Sequence, residues 1–315
     1  MAEFSTSGLI SRLGELTKKQ NQPSSTSVLN NWITHAETRL GSEFGGGRLG
    51  WLIASSIAVA AVQRAVDEDG RQLFLLKGGS YLQHRLNAPS RSTKDIDGLV
   101  RGDIDEFLQV LDGVLTTPWG PFELRRGSIE TIHVPTRILQ PRRFDIFLEL
   151  RGVTWRRLQF EISADEAGIG EEYELINPLP LGAFGLEEPD MLAGITLRHQ
   201  IAQKLHAVSD PHDPPSSIND RARDLVDLIL LQQLAAVTGQ PLNRDIATSA
   251  RAVFEARAQD AAILGLQPRR WPPTIISHPH WTGSYARSAN EVGIDLTMEA
   301  AVARLNSWIL ELDDL

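Results

Sequence analysis

Two neighbouring stretches of strict alternation constrain this chain most. In Arg143–Leu150, residues Phe144, Ile146, Leu148 and Leu150 point one way, and Arg143, Asp145, Phe147 and Glu149 the other. Trp155–Ser163 repeats the pattern, with Leu158, Phe160 and Ile162 opposed to Arg157, Gln159 and Glu161. A period of two marks a strand with one covered face. Only Arg151-Gly152-Val153-Thr154 separates the two, so they are predicted to form an antiparallel pair.

The flanking pattern adds further strands at Leu73–Leu76 and Lys94–Val100 and a helix over Ile104–Leu115, opened by Asp103. Before them, residues 7–20, 28–40 and 50–66 read as helices. From about Pro189 onward the pattern turns helical, with helices expected at Met191–Val208, Arg221–Val237, Asp245–Ala261 and Met298–Leu310. Gln267–Ala286, rich in Pro, Trp and His, reads as irregular. At 315 residues and 42% hydrophobic content, the chain has material for a large core and for two domains, or for one with a large accessory part. The expected division is an N-terminal helical segment over 1–49, a mixed α/β core over 50–185 and a helical C-terminal domain over 186–315.

The absence of cysteine removes disulfides, thiolate metal sites and cysteine nucleophiles. The longest strongly apolar run, Trp51–Val62, is too short to span a bilayer, for which about 20 residues are needed. The N-terminal residues carry no basic-then-apolar leader pattern, so a soluble, cytoplasmic protein with no membrane partner is expected. The net charge is −9, yet eight arginines between Arg125 and Arg157 stand against only Glu130, Asp145 and Glu149. Such a local excess can steer a polyanion even when the total charge has the wrong sign; a solvated sheet face is the plainer reading.

The residues suited to chemistry begin with Phe74-Leu-Leu-Lys-Gly-Gly-Ser80. A strand that runs into Gly78-Gly79-Ser80 at a helix start exposes backbone N–H groups suited to phosphate, and the serine adds a hydroxyl. The spacing is not that of a P-loop. Asp95 and Asp97 then share one face of a strand, roughly 7 Å apart, with Ile96 turned to the core. Like charges this close call for a cation with oxygen preference, such as Mg²⁺, between them. A two-metal transfer site also needs a carboxylate from a neighbouring strand, and both Glu161 and Asp145 qualify. Lys204 borders the apolar stripe of its helix, where a lysine needs a partner. Arg221, Asp224 and Asp227 recur at three-residue spacing on the next helix; they either pin Lys204 structurally or hold it ready for a triphosphate. The eight histidines show no metal-ligand spacing, and no Gly-x-Ser-x-Gly nucleophile motif is present.

In this order the pieces resemble the AbiEii/AbiGii group of nucleotidyltransferase toxins, which includes the mycobacterial MenT toxins. The matching motifs are Leu76-Lys-Gly-Gly-Ser80, Arg91-x-Thr93-x-Asp95-Ile-Asp97, Arg157-Leu-Gln-Phe-Glu161, Gln203-Lys-Leu-His-Ala207 and Arg221-x-Arg-Asp-Leu-Val-Asp-Leu228. They span about residues 50–230. The resemblance implies a polymerase-β-type nucleotidyltransferase, an α/β fold whose mixed sheet is preceded by helices and followed by a helical domain. It implies a toxin paired with an antitoxin, a small transcriptional regulator, and transfer of NMP from an NTP, pyrimidine favoured, to the 3′ end of tRNA. By position it selects Glu161 over Asp145 as the third carboxylate. Asp95, Asp97 and Glu161 would then hold one or two Mg²⁺, with Glu161 also helping to deprotonate the attacking hydroxyl. Gly78, Gly79 and Ser80 would cradle the phosphates, assisted by Lys77 and Arg91, and Lys204, oriented by Asp224, would neutralise the leaving group. The chain departs from the group in having Glu161 where Asp is usual and Gln203 where Glu precedes the lysine. A protein or small-molecule acceptor, or a silent member that only binds RNA or a partner, are the alternatives.

Overall fold

The computed structural model describes residues 8–41, 47–85 and 93–315, which leaves Arg91 outside the described residues. Three helices open the chain: α1 (Leu9–Gly14), α2 (Thr26–Leu40) and α3 (Arg48–Val62). The small residues of α3, among them Ala54, Ser55, Ser56 and Ala58, are fully buried and allow close packing. The core elements follow as β1 (Phe74–Lys77), α4 (Gly78–Arg85), β2 (Asp95–Val100), α5 (Ile104–Leu115), β3 (Phe122–Arg126), β4 (Glu130–Thr131), β5 (Arg142–Leu150), β6 (Val153–Ala164), β7 (Tyr173–Ile176) and β8 (Leu192–Ile195). The helical part comprises α6 (Leu197–Val208), α7 (Ala222–Thr238), α8 (Asn243–Ile263), α9 (Thr282–Glu291) and α10 (Met298–Asp313).

Among the described residues the strands form one mixed sheet in the order β3-β5-β6-β2-β1-β8-β7, with β4 on the flank of β5. The antiparallel β5–β6 pair forms as the alternation requires. β2 runs parallel to β6 and antiparallel to β1, which brings chain segments more than sixty residues apart side by side at the sheet centre. The apolar face packs an aromatic group in which the Phe74 ring lies 5.9 Å from Phe160 and 6.4 Å from Phe107. Gly98 belongs to this packing: a Cβ there would sit 1.9 Å from the Phe74 ring, so only glycine lets that ring cross the centre of β2.

Two elements differ from the sequence expectation. The expected helix at Met191–Val208 begins only at Leu197; Leu192–Ile195 is instead a buried strand, parallel to β1 and antiparallel to β7. A short apolar run with no polar face carries no period, and the open edge of β1 decides it. The sheet therefore reaches past residue 185. The stretch expected to be irregular runs into the first half of α9, whose buried Tyr285, Ser288 and Ala289 follow helical spacing behind a turn at Pro279–Trp281. No helix among the described residues is long and apolar enough to cross a membrane.

Candidate active site

The strand registers assemble the polar centre. Lys77 stands opposite Asp97 on β1, and Glu161 stands beside Asp97 on β6, so the three side chains share one row across three strands. Asp95 lies one row away, level with Gln159, whose amide donates to Asp95 Oδ1 at 2.8 Å. Asp145, the other candidate, sits one strand further out and pairs with Arg157 at 2.7 Å.

Gly78 turns the chain from β1 into α4 with φ +67°, a left-handed conformation natural to glycine. A Cβ there would meet Asp97 Oδ2 at 2.2 Å, so the carboxylate rests directly on the glycine backbone. Ser80 is fully buried; its hydroxyl donates to the Lys77 carbonyl at 3.0 Å and accepts from the Asp97 amide at 3.2 Å. The serine thereby ties the turn to β2.

Burial is the largest influence on Asp97 and raises its carboxyl to about 6; Lys77 and Lys204 oppose the rise while Glu161 and Asp95 add to it. Asp95 is raised too, first by burial and then by Glu161. Lys77, half-buried with its ammonium 2.6 Å from Ser163 Oγ, is lowered to about 8, chiefly by desolvation. Cation and carboxylates therefore sit in an environment that leaves the negative charge of the aspartates incompletely compensated.

Among the described residues no three acidic or imidazole side chains gather as a closed metal cage. Glu161 has the expected register, but its Oε1 accepts from Arg143 Nε at 2.9 Å and Nη2 at 2.6 Å. Asp95 and Asp97 nevertheless offer hard oxygen donors on one face, one resting on a glycine backbone. That set suits Mg²⁺, which is commonly held by one or two carboxylates together with substrate phosphates.

The helical part contributes from α6 and α7. Lys204 donates to Asp224 Oδ1 at 2.7 Å and to Asp227 Oδ2 at 2.6 Å, with Asp227 completely buried. Both sequence readings of this lysine meet here: it pins two helices, and its charge still reaches Asp97.

Sequence reasoning missed three groups. Gln200, one turn before Lys204, accepts the Gly78 N–H at 3.1 Å, while its buried Nε2 has no hydrogen-bond partner among the described residues. Their i,i+4 spacing was the available signal. Glu166 accepts from Arg137 at 2.8 Å, from Arg257 at 2.6 and 3.1 Å, and from Gln203 at 3.1 Å. Burial would raise its carboxyl, but Arg257 above all, then Arg137 and Lys77, override this and hold it at about 2. Gln203 thus fits an already satisfied carboxylate as a neutral donor. His206 is kept neutral by burial and by Arg257 and Arg269, which both donate to its Nδ1 at 2.8 Å. Of the two readings of the arginine-rich stretch, the structure favours the sheet face: Arg125, Arg143 and Arg157 pair with acids across the strands, Arg126 with Asp112 of α5 and Arg137 with Glu166.

A mixed sheet that presents two aspartates beside a glycine turn, backed by a helical domain carrying a buried lysine, defines a nucleotidyltransferase-type architecture. The profile of the family described as nucleotidyl transferase AbiEii toxin, type IV toxin–antitoxin system, matches residues 60–305. The chain belongs to this family of nucleotidyltransferase toxins. Its fold is similar to that of MenT4, a nucleotidyltransferase toxin from Mycobacterium tuberculosis H37Rv, with a TM-score of 0.53 and 16% identity over 92% of this chain and 90% of that one. Among curated proteins none matches the chain by sequence.

Proposed function

We propose that this toxin transfers a nucleoside monophosphate from an NTP, with pyrimidines preferred, to the 3′ acceptor end of tRNA in the cytoplasm. The added nucleotide blocks aminoacylation and stops growth until a cognate antitoxin intervenes. The observation that carries this reading is the seating of Asp97 on the Gly78 turn, with Asp95 one row away and Lys77 and Lys204 close enough to act on its charge.

Asp95 and Asp97, with Glu161 completing the set by its register, would hold Mg²⁺. The ion supplies charge neutralisation at the phosphates and acidifies the attacking hydroxyl. The residues of the chain do the positioning. Gly78 and Gly79 present backbone to the phosphates without a side chain in the way, and Ser80 keeps that turn fixed against Asp97. Lys77 and Lys204 offset charge that grows on the leaving pyrophosphate, and Asp224 and Asp227 hold Lys204 for this task. The acceptor 3′-oxygen forms a new ester with the α-phosphorus and the α–β bridging P–O bond breaks. Pyrophosphate leaves, and the hydroxyl proton passes to a carboxylate of the cluster. Catalysis of this kind is mostly positioning and electrostatics.

The test is to incubate the protein with total tRNA, Mg²⁺ and each α-labelled NTP in turn. Label is expected in tRNA from CTP or UTP, and Asp95→Ala should abolish it with an unchanged far-UV spectrum. Full activity in Asp95→Ala, or label confined to protein, overturns the reading.

A further inference from the structure

Asp95 shares a face of β2 with Asp97 and also lines a cavity of about 320 Å³ between the start of β2 and the helical part, to which Asp97, the glycine turn and the two lysines do not contribute. Thr93, Lys94 and Asp95 line it from the start of β2, Arg223 from the first turn of α7, and Ser284, Arg287, Ser288 and Glu291 from α9. Consecutive residues of α7 divide the work, since Asp224 turns inward to Lys204 while Arg223 lines the cavity.

Lys94, Arg223 and Arg287 differ from the arginines of the sheet. Among the described residues none of the three donates to a carboxylate or a carbonyl, whereas Arg125, Arg143 and Arg157 of the sheet each engage an acid. Three cations against the carboxylates of Asp95 and Glu291, with serine hydroxyls between them, leave the concavity with an excess of positive charge, a site complementary to a phosphate ester. The volume lies at the small end of ligand pockets and admits a single nucleotide, not a folded partner. In the proposed function the triphosphate of the incoming nucleotide has its cations at Lys77 and Lys204, neither of which lines this cavity.

We propose that this cavity receives the backbone phosphate of the acceptor's terminal nucleotide, held by Arg223 and Arg287, so that its 3′-hydroxyl is delivered along Asp95. The inference rests on the reading that the acceptor is an RNA end and specifies how that end is held. Arg223 and Arg287 act as acceptor-positioning residues.

The experiment compares wild type with the Arg223→Gln/Arg287→Gln double variant, both side chains being exposed. KM for RNA should rise about tenfold for each lost arginine–phosphate contact, with a shallower salt dependence, and KM for NTP should stay within about twofold. Wild type given RNA with a neutral methylphosphonate at its last linkage should lose the same factor, and the variant should lose nothing more on that RNA. A rise in KM for NTP instead assigns the cavity to the incoming nucleotide and overturns the proposal. An unchanged KM for RNA, or additive losses, also overturns it. If wild type labels no RNA at all, it is the RNA-acceptor reading that has failed; if wild type labels RNA and the variant matches it, only the inference has.

Discussion

Lys204 Nζ lies 2.6 Å from Asp227 Oδ2, and the aspartate is completely buried. Asp224 completes the arrangement at 2.7 Å. A buried cation between two carboxylates is costly to break from one side, because the partner left behind cannot regain water. Lys204→Met should therefore lower unfolding free energy by about 3–5 kcal/mol as well as remove nucleotidyl transfer. Urea titration at neutral pH checks the first, and transfer assayed well below the denaturation midpoint checks the second.

Gly78→Ala places a methyl group where Asp97 Oδ2 now sits, on a backbone with φ +67°. The strain should cost about 1–3 kcal/mol. The displaced carboxylate should lower kcat by about 10²-fold, the scale expected for a misplacement near 1 Å. Gly113→Ala, in open space on α5, serves as a control and should leave kcat unchanged. Equal activity in both variants would remove the argument that Asp97 is seated on the turn.

Glu166 gives a pH dependence of stability. Its carboxyl is held at about 2, against an ordinary 4.5, by Arg257 and its companions despite burial. A depressed carboxyl contributes stability that is full above the unfolded value and is lost as pH falls from about 4.5 toward 2. The size is about 3 kcal/mol at about 1.4 kcal/mol per unit. Urea midpoints from pH 6 down to 2.5 should converge for wild type and Glu166→Gln; a constant gap between them would contradict the assignment.

Gln200 bridges the helical part and the glycine turn through the Gly78 amide, and its Nε2 is buried without a partner among the described residues. An amide donor next to the phosphate-facing turn should act on nucleotide binding. Gln200→Leu is expected to raise KM for NTP about tenfold, as loss of one hydrogen bond of about 1.4 kcal/mol implies. A Gln200→Glu variant should do worse, through repulsion of the phosphates. Steady-state kinetics with NTP varied at saturating RNA measures both.

Much of the centre was legible before any fold existed. Asp95 and Asp97 declare themselves because i,i+2 on a strand is a local relation, and Gly78-Gly79 because a strand running into glycine is one as well. Lys204 and Asp224 were legible through helical spacing. Glu166 and Arg257 were not, since 91 residues separate them and no periodicity links a loop acid to a helix arginine. The arginines of the sheet left two readings open for the same reason, as charge along the chain does not reveal which acid lies across the strand. β8 and α9 escaped because one lacks a period and the other follows a Pro- and His-rich stretch.

By itself, the order of residues determined the β5–β6 pair, the paired aspartates and the glycine turn, because each depends on neighbours within a few positions. Tertiary structure decided the rest. Parallel pairing of β2 with β6 set Glu161 beside Asp97, the docking of α6 set Lys204 and Gln200 behind the turn, and α9 closed a cavity around Asp95. Those relations join segments tens of residues apart, and only burial of a shared core selects which segments meet.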